Sequence, residues 1–237
     1  AAKHPELVYC MDFNQRTNPL YKKVKDLIDS GDLGEMTRVI WIVTDWYRSQ
    51  SYYDQGGWRA TWDGEGGGVL LNQNPHNLDL WQWMCGIPKR VKSQVYYGKH
   101  RNIEVEDDLY ALVEYENGAT GCYITTVGDA PGTNRLEIDG TNGKIVVENN
   151  ELTFYRLRIP EPEFNATYKG GLGKPEVWEC KIPIKGTYTS HPGIINNFCD
   201  CILKGAKPIA PGAEGIRGLQ ISNAIHLSSW LNGEWVD

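Results

Sequence analysis

The run Val39-Ile40-Trp41-Ile42-Val43-Thr44-Asp45-Trp46-Tyr47 constrains this chain more than any other segment. Side chains of a strand alternate between the two faces of its sheet, and here both alternating sets are apolar. Such a strand must be covered twice. Helices of the same chain can cover one face, and a second subunit is expected on the other. The chain has 237 residues, enough for one large domain with a sizeable core. Its 9 Trp and 13 Tyr exclude disorder, and the absence of any internal repeat excludes collagen-like and low-complexity classes.

The rest of the chain supplies the other layers. Leu7 to Met11 reads as a short strand. Asn18 caps a helix with Pro19 in its first turn; Leu20, Val24, Leu27 and Ile28 form its apolar stripe, and Gly31 ends it. Residues 52–68, rich in Gly, Trp and Asp, read as a long ordered loop of the kind that carries function. A helix then opens at Asn74-Pro75 and closes at Gly86. Leu109 to Glu116 and Ala119 to Val127 flank Asn117-Gly118, a strong hairpin signal. Asn142-Gly143 and Asn149-Asn150 punctuate further strands, and Val177 to Ile184 reads as an edge strand. Two helices finish the chain, Pro192 to Leu203, with Ile194, Ile195, Phe198 and Ile202 on one face, and Ala213 to Leu231. Strands in the middle and helices at both ends predict an α+β fold: one large, mostly antiparallel open β-sheet with helices packed on one face. No linker interrupts it, so residues 1–237 are expected to form a single domain.

Charge and motif content narrow the function. Lys and Arg number 24 against 30 Asp and Glu, a net charge of −6, with no basic block. Nucleic acid and anionic membrane surfaces are poor partners for such a chain. No apolar run approaches the ~18 residues of a membrane span. The 6 Cys lack any C-x-x-C spacing and read as small reduced hydrophobes, so a cytoplasmic location is expected. No zinc spacing and no G-x-S-x-G motif is present, and no metal is expected. The G-x-G pairs at 64/66, 66/68 and 171/173 meet Val69, Leu71 and Glu176 where a dinucleotide fingerprint needs its third glycine. No cofactor-binding residue is therefore expected within this chain.

Two constellations remain. In Asn72-Gln73-Asn74-Pro75-His76-Asn77-Leu78-Asp79, His76 falls in the first turn of a helix behind the Gly64-Glu65-Gly66-Gly67-Gly68 loop. Asp79, three residues on, can orient its ring, and an imidazole titrating near neutrality suits proton exchange with a hydroxyl. The plainer reading makes Asn74 a helix cap and His76 a buried polar residue. The second constellation is Trp46-Tyr47-Arg48 with Trp58-Arg59, where indoles pack on sugar C–H faces and arginines fork hydrogen bonds to hydroxyls. A loop merely anchored by buried Trp side chains explains it as well. His100, His191 and His226 read as structural or solvated.

Several segments together resemble the glucose–fructose oxidoreductase / inositol dehydrogenase / rhizopine-catabolism (Gfo/Idh/MocA) family. They are Asn14 to Pro19, Ile28 to Gly34, and Gly66 to Asn72 running on to His76 and Asp79-Leu80. The resemblance covers the family's second domain end to end. It implies a C-terminal-domain fold like that of dihydrodipicolinate reductase and glyceraldehyde-3-phosphate dehydrogenase. It further implies that an NAD- or NADP-binding Rossmann domain lies upstream of Ala1, that the substrate is a sugar or polyol, that this chain alone is inactive, and that a homodimer or homotetramer forms through the sheet face. By the same resemblance His76 is the catalytic histidine. Asn72 stands where many members carry Asp, and an amide can orient substrate but cannot take a proton. Arg16 matches an arginine near the junction of cofactor and substrate, while Arg48, Trp58, Arg59 and Asn74 fall among residues expected to shape the pocket. The rival expectation is a non-catalytic carbohydrate-binding protein using the Trp/Arg cluster; a third reading makes the doubly apolar strand an oligomerisation module.

Overall fold

The computed structural model describes residues 3–237. Eight strands form one sheet: β1 (Met36–Val43), β2 (Arg90–Tyr97), β3 (Glu106–Glu114), β4 (Thr120–Thr126), β5 (Asn134–Gly140), β6 (Gly143–Glu148), β7 (Glu151–Leu157) and β8 (Val177–Lys181). Their order is β2-β3-β4-β1-β5-β6-β7-β8. Every neighbouring pair is antiparallel except β1 with β4. The turns follow from local chemistry. Gly118 (φ 84°) closes β3–β4, and Asn149 and Asn150 both adopt positive φ (52° and 59°) between β6 and β7, as a two-residue hairpin turn requires.

Six helices complete the chain: α1 (Pro19–Asp29), α2 (Gln50–Asp54), α3 (Pro75–Cys85), α4 (Glu161–Thr167), α5 (Ser190–Lys204) and α6 (Gly215–Trp230). The Asn18 side chain accepts the Leu20 N–H at 3.0 Å, which caps α1 as the sequence predicts. Gly86 ends α3 with φ 82°. Helices α1, α3 and α6 pack together on one face of the sheet. Val39, Trp41 and Val43 of β1 point into that core with Leu109, Ala111, Tyr123, Leu136 and Ile138 from neighbouring strands. Trp41 stacks on Trp81 of α3 at 6.5 Å between ring centroids. The alternate residues of β1, Ile40 and Ile42, lie half-exposed on the other face, beside Cys122, Ile124, and Tyr110 and Leu112, each 48% exposed.

Three expectations are corrected. Leu7 to Met11 is not a strand: Cys10 forms one isolated bridge with Pro211. Two backbone hydrogen bonds make that bridge, Met11 N–H to the Ala210 carbonyl and Gly212 N–H to the Tyr9 carbonyl, each at 2.9 Å. The first long strand ends at Val43 rather than at Tyr47. The expected stripe of α5 is split: Ile194 is buried, while Ile195 (58%) and Ile202 (57%) face outward. That helix packs on the short 3₁₀ turn Asn14–Thr17 rather than on the sheet.

Candidate active site

The glycine-rich loop enters a π-helical turn, Val69–Gln73, that leads straight into α3. Backbone of this shape has free N–H groups, and a buried carboxylate collects two of them. Glu106, at the start of β3 and 0% exposed, accepts the Gly68 N–H at 2.8 Å and the Leu70 N–H at 3.0 Å. Gly68 runs so close to β3 that a Cβ there would collide with the Glu106 carbonyl oxygen, so only glycine fits. Burial pushes the Glu106 carboxyl up to about 7, against the pull of the two N–H groups. Behind it lies His226 of α6, whose Nε2 is 3.7 Å from a Glu106 oxygen and whose Nδ1 meets the Tyr97 hydroxyl at 3.1 Å. Burial lowers His226 to about 4.

His76 occupies the first turn of α3. Neither ring nitrogen has a hydrogen-bond partner among the described residues, and Nδ1 is a fully buried atom. The Phe13 ring stands edge-on to the imidazole at 6.2 Å. Burial lowers the His76 pKa from its ordinary value; Asp79 and Asp12 pull it back up and His191 pushes it down. The ring is therefore neutral near pH 7 and able to accept a proton.

Asp79 does not orient His76 as expected. Both its oxygens hold Arg16, through Nε at 2.8 Å and Nη2 at 2.6 Å, and one also accepts Gln82. Arg16 is 1% exposed and donates further to Glu214 (2.6 Å) and the Ile209 carbonyl (3.2 Å). Burial opposes the charge of Arg16, but Asp79 and Glu214 outweigh it and raise the pKa. This arginine ties the Asn14–Thr17 turn, α3 and the entrance of α6 together. Asn74 is likewise enclosed: it is 0% exposed and its amide donates to the Thr125 hydroxyl, so it neither caps α3 nor opens to a ligand.

The remaining expected residues converge through Tyr52. Its hydroxyl accepts from Arg59 Nη1 at 2.9 Å and donates to Asn72 Oδ1 at 3.3 Å. Gln73 also donates to that oxygen, at 2.6 Å, while the Asn72 amide donates to Glu65. The second Glu65 oxygen accepts the Ala60 N–H at 2.6 Å. The Arg59 guanidinium lies over Tyr52 (4.8 Å) and over Trp58 (4.5 Å), and Arg48 lies over Tyr52 at 5.2 Å. Trp58 is 53% exposed and free to meet a ligand on its other face. Sequence reasoning missed Tyr52, Glu65 and Glu106. The one available signal was the acidic triplet Glu106-Asp107-Asp108 opening an apolar strand, because carboxylates rarely start such a segment without a partner.

No group of three or more His, Cys, Asp or Glu among the described residues is placed to hold a metal ion. No helix there is long and apolar enough to cross a membrane.

The architecture and its site define an open-sheet α+β domain with a neutral, half-buried histidine behind a clamped glycine loop. The model of the GFO/IDH/MocA C-terminal domain matches residues 21–146, and the chain belongs to that oxidoreductase family. It is similar to levoglucosan dehydrogenase of Pseudarthrobacter phenanthrenivorans, with 23% identity over 270 residues, covering 100% of this chain and 68% of the relative. Among solved structures, the WlbA dehydrogenase of Chromobacterium violaceum in complex with NADH and UDP-GlcNAcA superimposes with a TM-score of 0.80 at 26% identity. That match covers 99% of this chain and 64% of WlbA. Levoglucosan dehydrogenase in complex with NADH and levoglucosan shares the fold, with a TM-score of 0.77 at 21% identity over 99% of this chain and 67% of that one. The chain thus spans 64% to 68% of the length of these relatives.

Proposed function

We propose that this chain is the substrate domain of an NAD(P)-dependent oxidoreductase acting on a sugar or polyol, with His76 exchanging the proton of the reacting hydroxyl. The observation that carries it is the state of His76. A neutral imidazole with no hydrogen-bond partner, at the head of the helix that follows the family's glycine loop, is poised for proton transfer. Asn72, held by Tyr52, Gln73 and Glu65, presents a fixed amide four residues before it and orients a hydroxyl without taking its proton. The relatives in complex with NADH support a nicotinamide partner.

The nucleotide does not fit the glycine loop of this chain. The N–H groups of Gly68 and Leu70, the donors a pyrophosphate would need, are taken by the Glu106 carboxylate. In this proposal the dinucleotide sits in a separate domain that precedes Ala1 in the whole protein, and residues 1–237 alone have no turnover. The half-exposed apolar strip of Ile40, Ile42, Tyr110 and Leu112 is the proposed contact of a homodimer or homotetramer.

The test is NAD(P)-dependent oxidation of a sugar and polyol panel by the native protein that carries this chain. His76→Ala is expected to lower turnover by about two to four orders of magnitude. A fully active variant refutes the assignment. Carbohydrate binding without turnover, abolished by Trp58→Ala and indifferent to His76, supports the non-catalytic binding protein instead, a reading favoured by the exposed Trp58 face.

A further inference from the structure

Two arginines beside the proposed pocket, Arg48 and Arg59, share one aromatic ring and no carboxylate partner. Arg16, Arg90, Arg135 and Arg158 each form an ion pair with a carboxylate at 2.5–2.9 Å. Arg48 and Arg59, like Arg38, Arg101 and Arg156, form none with any Asp or Glu of the described residues, although the chain carries a net charge of −6. Arg101, a third arginine of the same region, is satisfied differently: it donates to the carbonyls of Arg48, His100 and Val127.

Arg48 and Arg59 keep most of their donors free. Arg48 makes one hydrogen bond, to the Tyr47 carbonyl at 2.9 Å, and Arg59 makes one, to the Tyr52 hydroxyl at 2.9 Å. A guanidinium has five N–H donors, so each half-buried fork has several unused. Both guanidinium groups lie against the same Tyr52 ring, Arg48 at 5.2 Å and Arg59 at 4.8 Å from its centroid, where its π-face attracts each positive charge. The acidic groups around them are otherwise engaged. Glu65 holds Asn72 and the Ala60 N–H, Asp54 holds Gln50, and Glu104 holds the Trp62 N–H. The hydrogen-bond path Arg59–Tyr52–Asn72 connects this pair to the residue four positions before His76.

The geometry points to a substrate with an anionic group, a carboxylate or phosphate on the sugar, received by Arg48 and Arg59 across the Tyr52 ring. Paired forked donors match the planar oxygens of a carboxylate and two oxygens of a phosphate alike. This inference rests on the substrate-domain reading above and names the class of molecule the site takes.

The experiment is calorimetric titration of the native protein that carries this chain. The ligands are a panel of neutral hexoses and pentoses, each beside its uronate and its terminal phosphate. At least one acid is expected to bind about tenfold or more tighter than its neutral parent at low ionic strength, with the advantage shrinking in high salt. Uronates alone, or phosphates alone, identify which anion the site takes. Arg48→Gln and Arg59→Gln are each expected to remove about tenfold or more of the acid's affinity and to cost the acid more than its neutral parent, narrowing the gap between them. Arg59→Lys keeps the charge without the fork and recovers part of the loss, which separates a missing contact from a misfolded loop. Equal affinity for acid and neutral parent, or turnover that depends on His76 but on neither arginine, overturns the anionic substrate and leaves the substrate domain standing. A panel in which nothing binds overturns both.

Discussion

Replacing Glu106 by Gln separates two opposite roles of one carboxyl. The side chain accepts two backbone N–H groups, from Gly68 and Leu70, in a place with 0% exposure. Gln keeps one acceptor oxygen and turns an NH₂ toward the other donor, leaving one buried N–H unsatisfied at about 1–3 kcal/mol. The carboxyl, however, rises from 4.5 in the free side chain to about 7 in the fold because burial disfavours its charge. Its contribution is therefore complete below pH 4.5 and is lost as the pH climbs through about 7. At about 1.4 kcal/mol per decade of proton affinity, that loss amounts to about 3 kcal/mol. Glu106→Gln is thus expected to be less stable than the parent at pH 4.5, by about 1–3 kcal/mol, and to match or exceed it at pH 8. Urea unfolding followed by Trp fluorescence, at steps between these limits, reads the difference directly, and titrating groups remote from Glu106 cancel between the two proteins. A deficit that stays constant or grows with pH refutes the reasoning. It would mean that the carboxylate stays charged throughout, held by the N–H groups and a protonated His226.

The remaining expectations follow from neighbouring contacts. His226, lowered from 6.5 to about 4 by burial, contributes stability that is present above 6.5 and is lost as the pH falls through about 4; its ring signals in NMR should titrate near 4, and titration above 6.5 would reveal an ion pair with Glu106 instead. Arg16→Met strands Asp79 and Glu214 without their cation and should lower unfolding free energy by about 3–5 kcal/mol, measured by urea titration at pH 7; an unchanged midpoint would show the cluster to be dispensable. If the open sheet face joins subunits, Leu112→Asp, at a position 48% exposed, should halve or quarter the mass in light scattering while circular dichroism stays unchanged, and an unaltered mass would place the contact elsewhere.

Most of the fold was legible because its signals are local. The Asn18-Pro19 cap, the Asn117-Gly118 and Asn149-Asn150 turns and the Gly86 stop act within a few residues, and the elements begin and end where these residues stand. Leu7 to Met11 misled because its composition is that of a strand, while whether it pairs depends on a segment some 200 positions away. The same division holds at the candidate site. His76 and the loop before it are marked by neighbours in sequence. Asp79, three residues from His76, looked like its partner, yet Arg16, brought in by another segment, claimed both its oxygens through charge-assisted bonds stronger than any to a neutral ring. Asn74 disappeared into the core for a similar reason: Thr125, on a strand placed by long-range pairing, offered its hydroxyl. Spacing shows which groups are close along the chain, whereas competition among distant ones decides which of them meet.

The position of β1 bears on how the chain is made. It carries an unbroken apolar run, Val39 to Val43, yet both its neighbours, β4 and β5, come far later in the chain; Arg38 faces Thr120, 82 residues further on. During synthesis at roughly 5–20 residues per second, β1 leaves the ribosome roughly 4–16 s before its first partner exists. Throughout that interval it presents two open edges and two greasy sides. Nascent chains of this topology would be clients for a ribosome-bound chaperone, and a truncation before residue 120 would leave a segment suited to aggregation rather than a smaller domain.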